Sequence, residues 1–272
     1  MKILVINGSP KGKGNTDKIV KQVQESMQAL GDYEFVYLYL KDMQINPCKG
    51  CMKCITDGEE QCPASGDDIP SIEKKMHKAD AIVFAAPVYT MSVPFCFKLF
   101  MDRMAYVFHR PRFFDKVACY VTTTGGVGEK QAIKTMKIFE ASGIFHSVEL
   151  GIKTPPFPIS KKAKLENDKT ITNQARKFHK KIASKDSLRP NLGNLLQFKF
   201  FKLFSGKLPD YFKADNQYWK EKGWLEPDCK FFTDKLPHIH LRFLASIIYT
   251  LAKSGFLSTI SPDAFNRSKT GL

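Results

Sequence analysis

Five short apolar runs, each closed by a turn signal, constrain the fold of this chain more than any other feature. They are residues 2–7 (Lys-Ile-Leu-Val-Ile-Asn), 34–39 (Glu-Phe-Val-Tyr-Leu-Tyr), 81–85 (Ala-Ile-Val-Phe-Ala), 116–122 and 145–151. Helical patterns lie between them. Ile19, Val20, Val23 and Met27 recur at helical spacing after Asn15 and Thr16, and further helices are predicted over about 69–78, 95–107, 128–142 and 165–184. Strands of five to seven residues alternating with helices specify a parallel sheet covered by helices on both faces. Such sheets take their ligands beyond the carboxyl ends of the strands. The first run, beginning at Met1, reads as a buried strand and not as a secretion signal, having no long apolar core and no small-residue cleavage site. A cytoplasmic protein is the expectation.

Three loops stand at those carboxyl ends. The first, Gly8-Ser9-Pro10-Lys11-Gly12-Lys13-Gly14-Asn15-Thr16, separates a strand from a helix. Its glycines allow close backbone approach, its hydroxyls and amide donate hydrogen bonds, and the helix N-terminus favours an anion. It departs from both G-x-x-x-x-G-K-[ST] and G-x-G-x-x-G, so a phosphate arriving without magnesium, as in FMN, suits it better than a nucleoside triphosphate. The second loop, Ala86-Pro87-Val88-Tyr89-Thr90-Met91, offers backbone N–H groups and an aromatic face. The third, Thr122-Thr123-Thr124-Gly125-Gly126, would close over the other side of a bound ring. No side-chain acid, base or nucleophile is assigned a catalytic role.

Cys48, Cys51, Cys54 and Cys62 form the pattern C-x2-C-x2-C-x7-C, with Pro63 behind the last thiol. Three thiols at such intervals cannot all face one side of a regular helix or strand, and they suit a loop around a thiolate-binding group. The spacing is nearest to ferredoxin-type iron–sulfur runs. A four-thiolate zinc site and cysteines without metal stay open as alternatives. Cys96 and Cys119 sit in apolar surroundings and read as core.

Charge is unevenly spread. Of a net +15, residues 151–272 hold 23 Lys and Arg against 10 Asp and Glu, while residues 1–150 are nearly balanced at 19 against 17. A basic half attracts acidic proteins, nucleotides or anionic lipid. Its cations are dispersed and no recognition motif accompanies them, which argues against nucleic acid. Beyond about residue 185 the strand–helix alternation stops. Both tryptophans lie there, with Gly223 predicted to end a short helix carrying Tyr218, Trp219 and Trp224. Residues 239–257 read as an apolar helix whose longest uncharged run, 243–252, is too short for the ~20 residues of a bilayer span. Packing or dimerisation is favoured for it over lying on a membrane surface. His238 and His240 have no partner in the sequence, and a metal role is not assigned to them.

GSPKGKGNT, PVYTMSVPFCFKLFMDR and PCKGCMKC with its trailing Asp67-Asp68 resemble the flavodoxin-like NAD(P)H-dependent oxidoreductases, and within them the iron–sulfur flavoproteins related to NADPH-dependent FMN reductases. The resemblance covers about residues 1–180. It implies a flavodoxin-like, doubly wound, five-stranded parallel sheet of order 2-1-3-4-5 and noncovalent FMN. By the same resemblance Ser9, Lys11, Asn15 and Thr16 would hold the phosphate. Pro87, Val88, Tyr89, Thr90 and Met91 would contact the ring, as would Thr123, Thr124, Gly125 and Gly126. Cys48, Cys51, Cys54 and Cys62 would bind a [4Fe–4S] cluster, and the protein would be a homodimer or tetramer. The expected organisation is an FMN-binding domain at 1–185, carrying the cysteine loop 48–62, and a mainly helical extension at 186–272.

The expected function is electron transfer between NAD(P)H or a reduced donor, FMN and the cluster, with an acidic protein such as ferredoxin as a partner for the basic half. Two alternatives accompany it. One is a cluster-free NAD(P)H:FMN or quinone reductase. The other is a non-enzymatic binding protein whose basic tail engages a membrane surface or a partner.

Overall fold

The computed structural model describes residues 1–261, so residues 262–272 of the expected extension lie outside the described residues. In chain order the elements are β1 (Lys2–Asn7), α1 (Asn15–Gln28), β2 (Glu34–Tyr39), α2 (Lys53–Thr56), α3 (Ile69–Lys78), β3 (Ala81–Pro87), α4 (Phe95–Arg103), α5 (Tyr106–His109), β4 (Val117–Thr124), α6 (Glu129–Met136), β5 (His146–Lys153), α7 (Lys161–Ala183), α8 (Leu192–Lys207), α9 (Lys213–Glu221) and α10 (Ile239–Leu257). They form two compact units. One comprises residues 1–48, 66–105 and 113–188; the other gathers 49–65, 106–112 and the described residues from 189 onward.

In the first unit the five strands make one sheet of order β2-β1-β3-β4-β5. Every neighbouring pair is parallel, with Ile3 beside Phe35 and Ala81, Val83 beside Cys119, and Cys119 beside Val148. The fold is flavodoxin-like, as the motifs implied. Side chains alternate across the sheet. Ile3, Val5, Val83 and Val121 join Val20, Val23 and Phe178 in one core layer. Phe84 on the opposite face stacks on Phe139 at 4.4 Å and on Tyr120 at 5.6 Å. All eight residues of β4 are buried. Full burial of a Val, Ile or Phe side chain contributes about 1.5–3 kcal/mol, so the two covered faces dominate the stability of this unit.

Three helices differ from the sequence expectation at their ends. The helix predicted over 95–107 stops at Arg103, where Met104 N–H closes on the carbonyls of both Phe100 and Met101 at 3.1 Å. The one predicted over 128–142 tightens into a 3-10 turn at Lys137–Ser142 and ends at Gly143, φ +104°. The last begins four residues earlier than predicted because Ser160 caps it, its Oγ accepting from Ala163 N–H at 3.2 Å.

The second unit is mainly helical. Trp219 is fully buried, stacks on Phe198 at 5.7 Å, and donates its Nε1–H to the carbonyl of His109 at 2.9 Å. Trp224 donates to the carbonyl of Phe232 at 3.2 Å. The turn between the two tryptophans requires glycine: Gly223 has φ +68°, which lets Trp224 N–H reach Trp219 O at 2.9 Å. No described helix is long and apolar enough to cross a membrane.

Candidate functional site

The carboxyl ends of β1, β3 and β4 carry the three loops singled out in the sequence, and Thr123 joins them. Its hydroxyl pairs with that of Thr16 at 2.7 Å, and its carbonyl accepts from Val88 N–H at 2.8 Å. Thr122 Oγ1 donates to Ala86 O at 2.8 Å, a second tie between the β3 and β4 ends. The first loop is folded on itself by Ser9 N–H donating to Asn7 Oδ1 at 2.9 Å and by Gly12 N–H donating to Ser9 O at 2.9 Å. Gly8 permits the loop's descent against α4, since a Cβ there would stand 2.5 Å from Phe97 Cδ2.

The α1 N-terminus opens at this loop with Gly14 as its cap residue and no side chain accepting from its first turn. Those amide hydrogens, with the partial positive charge of the helix end, are oriented for an anion. Asn7 Nδ2 is buried and has no hydrogen-bond acceptor among the described residues. Ser9 and Thr16 are buried in the loop, while Lys11 and Asn15 are exposed on it. Below it, Tyr39 donates to Asp17 Oδ1 at 2.7 Å, and burial together with that bond pushes the Tyr39 hydroxyl up to about 12.

The second loop is a two-residue turn closed by reciprocal bonds of 2.9 Å between Tyr89 and Ser92. Thr90 (φ +47°) and Met91 (φ +63°) both occupy left-handed backbone, which is costly for side chains of this kind. The turn presents Tyr89 and Met91 outward, 42% and 46% exposed. In the third loop Thr124 Oγ1 donates to Val127 O at 2.6 Å and accepts from Gly126 N–H at 3.2 Å. Gly125 and Gly126 face open space. The set comprises an anion-binding helix end, an unsatisfied amide, two exposed apolar side chains and a glycine pair with room above it. It fits a phosphate joined to a flat ring system.

The cysteine segment shows how its neighbours position it. At its entry, Asp67 Oδ2 accepts from Asn46 N–H at 3.0 Å, and Arg103, itself buried, ion-pairs with Asp67 and donates to Asn46 O at 3.1 Å. Asp68 Oδ2 accepts from Gln44 N–H at 2.8 Å. The acidic pair quoted in the sequence motif therefore clamps residues 44–46.

Within the second unit Arg110, 1% exposed, donates to the carbonyl of Cys54 at 2.7 Å and pairs with Glu59 at 2.6 Å and Asp215 at 2.7 Å. Arg112 pairs with Glu59 at 3.1 Å, and His109 Nδ1 lies 2.8 Å from Asp215 Oδ2. Burial acts to raise the Glu59 carboxyl, but Arg110 and Arg112 outweigh it and hold the group below its usual value. Arg103 and Arg110 were not singled out in the sequence. Arginines recurring among the aromatic residues of 95–113 (Arg103, Arg110, Arg112) are the signal that would have marked them.

Cys48 and Cys51 are exposed, and Cys54 and Cys62 half-buried. Among the described residues no three or more His, Cys, Asp or Glu side chains are arranged to hold a metal ion.

A parallel sheet of this order with phosphate- and ring-directed loops at its carboxyl edge belongs to the class of nucleotide-binding flavodoxin-like proteins. The family described as NADPH-dependent FMN reductase matches residues 1–157, and the chain belongs to that family. It is a flavin-dependent oxidoreductase. Among its relatives is an iron-sulfur flavoprotein of Archaeoglobus fulgidus, 30% identical, covering 71% of this chain and 98% of that protein. An iron-sulfur flavoprotein of Clostridioides difficile is 29% identical, covering 82% of this chain and 99% of the relative. The solved NAD(P)H:quinone oxidoreductase of Methanothermobacter marburgensis shares the fold, with a TM-score of 0.50 and 15% identity over 65% of this chain and 96% of its own.

Proposed function

We propose that the three loops form the FMN site and that NAD(P)H is the electron donor. The observation carrying this reading is Thr123, which ties the ends of β1, β3 and β4 into one rim. FMN, when bound, accepts a hydride from the nicotinamide and releases its electrons in pairs or singly. The chain's own residues do the rest. Ser9, Thr16 and the α1 amides bind the phosphate dianion, with Lys11 and Asn15 at the mouth. Pro87 to Met91 and Thr123 to Gly126 hold the ring and exclude water from it.

Cys48, Cys51, Cys54 and Cys62 are proposed as ligands of a [4Fe–4S] cluster. Their spacing and the names of the relatives support this. Among the described residues no three or more His, Cys, Asp or Glu side chains are gathered to hold a metal ion. A cluster-free NAD(P)H:FMN or quinone reductase is the second reading, and the match to the NADPH-dependent FMN reductase family supports it without a cluster. The first 185 residues would carry the flavin chemistry, and residues 186–272 would serve as an extension. A homodimer or tetramer and an acidic partner such as ferredoxin accompany the proposal.

The test is protein purified without oxygen, assayed for flavin, iron and NAD(P)H oxidation. About one FMN and about four irons per chain are expected, with Cys51→Ser losing iron and keeping flavin. Flavin without iron selects the second reading. Failure to bind added FMN overturns both.

A further inference from the structure

α10 is packed in an unusual way for so apolar a helix: of its nineteen residues only Ala245 is buried. Ile239, Phe243 and Leu251 are 78%, 71% and 72% exposed, and Leu244 and Ile247 are exposed beside them. Residues 239, 243, 247 and 251 are four apart and form one stripe along the helix. The other side of α10 meets α8 through Tyr249 against Phe200, at 5.4 Å, and Phe256 against Phe204, at 4.7 Å.

Between α8, α10 and residues 225–230 lies a cavity of about 800 Å³. Phe198, Leu203, Leu225 and Phe243 give it apolar walls. Six cations also line it, Lys199, Lys202, Lys207, Lys230, Arg242 and Lys253, and no carboxylate does. None of the six is in an ion pair among the described residues. Lys202 donates to the carbonyls of Glu226 and Cys229 at 2.5 and 2.9 Å, and Lys199 and Lys253 stand 5.3 and 5.9 Å from the centre of the Tyr249 ring. Burial, with Lys202 adjacent, holds the Lys199 ammonium below its usual value, as follows for a cation lacking a counter-ion.

We propose that the α10 stripe and the cation-lined cavity beside it are a docking surface for an anionic lipid bilayer. The stripe would enter the acyl region in the plane of the membrane, and the cavity would take a lipid phosphate with the start of its chain. Charge complementarity chooses this occupant. A second copy meeting this face about a two-fold axis would set six cations without ion pairs against six more, and such like-charge juxtaposition is costly. A bilayer supplies negative charge and apolar depth side by side, and its deformable surface needs no matching groove. The inference goes beyond the proposed flavin chemistry and does not depend on it.

FMN-loaded, full-length protein is sedimented with vesicles of phosphatidylcholine, or of phosphatidylcholine with about a third phosphatidylglycerol, at about 0.05 M and about 0.5 M salt. Partitioning onto the anionic vesicles is expected to exceed that onto neutral ones at least about tenfold and to fall at high salt. Lys253→Gln is expected to weaken it about fivefold. Phe243→Ser with Leu251→Ser, both exposed and outside the unit that carries the proposed flavin loops, is expected to weaken it more than about tenfold while NAD(P)H oxidation and tryptophan fluorescence stay unchanged. The proposal is overturned if anionic vesicles leave the protein in the supernatant at low salt, or if the double variant binds them in full. It is also overturned if the wild type forms a lipid-free dimer that the double variant dissociates, which would give the face to a second copy.

Discussion

Thr123 ties together the loops of the proposed flavin site, through Thr16 and Val88. Its hydroxyl pairs with that of Thr16 at 2.7 Å in a buried position. Thr123→Val keeps the shape and leaves Thr16 Oγ1 without that partner, at a cost of about 1–3 kcal/mol. FMN affinity is expected to fall about tenfold, read by quenching of flavin fluorescence on titration. Glu59 allows a pH test. Its folded pKa is lowered, so its contribution is fully present above the usual carboxylate value of 4.5 and is lost as pH falls through the folded value. Wild type is therefore expected to exceed Glu59→Gln in urea stability at pH 6, with the difference shrinking below about pH 4. Both tryptophans lie in Glu59's unit, so their fluorescence follows the relevant transition. A gap that persists unchanged at low pH would sink the assignment.

At the scale of elements, the turn after β3 trades stability for presentation. Thr90 is β-branched at φ +47°, and Thr90→Gly is expected to raise stability by about 1 kcal/mol in thermal melts while weakening FMN binding. Gly128 is the opposite case. At φ +99°, with a Cβ placed 2.7 Å from Val88 Cγ1, Gly128→Ala is expected to cost about 1–3 kcal/mol and to push the second and third loops apart. These loops were legible in the sequence because glycine and proline directly after an apolar run mark where a strand stops and the chain turns. The helix ends were less legible. Where α4 stops depends on Arg103 turning to Asp67, a contact between residues 36 apart in the chain.

At the scale of the molecule, Arg110 is to the helical unit what the β-sheet is to the first. Arg110→Met leaves Asp215 buried with only His109 beside it and is expected to cost about 3–5 kcal/mol, shifting the tryptophan-monitored transition to lower denaturant. The sequence by itself determined the sheet, its order through the family motifs, and the three loops at its carboxyl edge. Buried strands and glycine loops are local patterns, and each residue's role there is written in its immediate neighbours. Only the tertiary structure decided the partners of Arg103, Arg110 and Asp215, because a charged residue in a sequence carries no sign of which distant opposite charge it will meet. It alone decided the outward face of α10 as well. Periodicity shows that a helix has an apolar side, but whether that side is covered depends on what packs against it, and here α8 takes the other one.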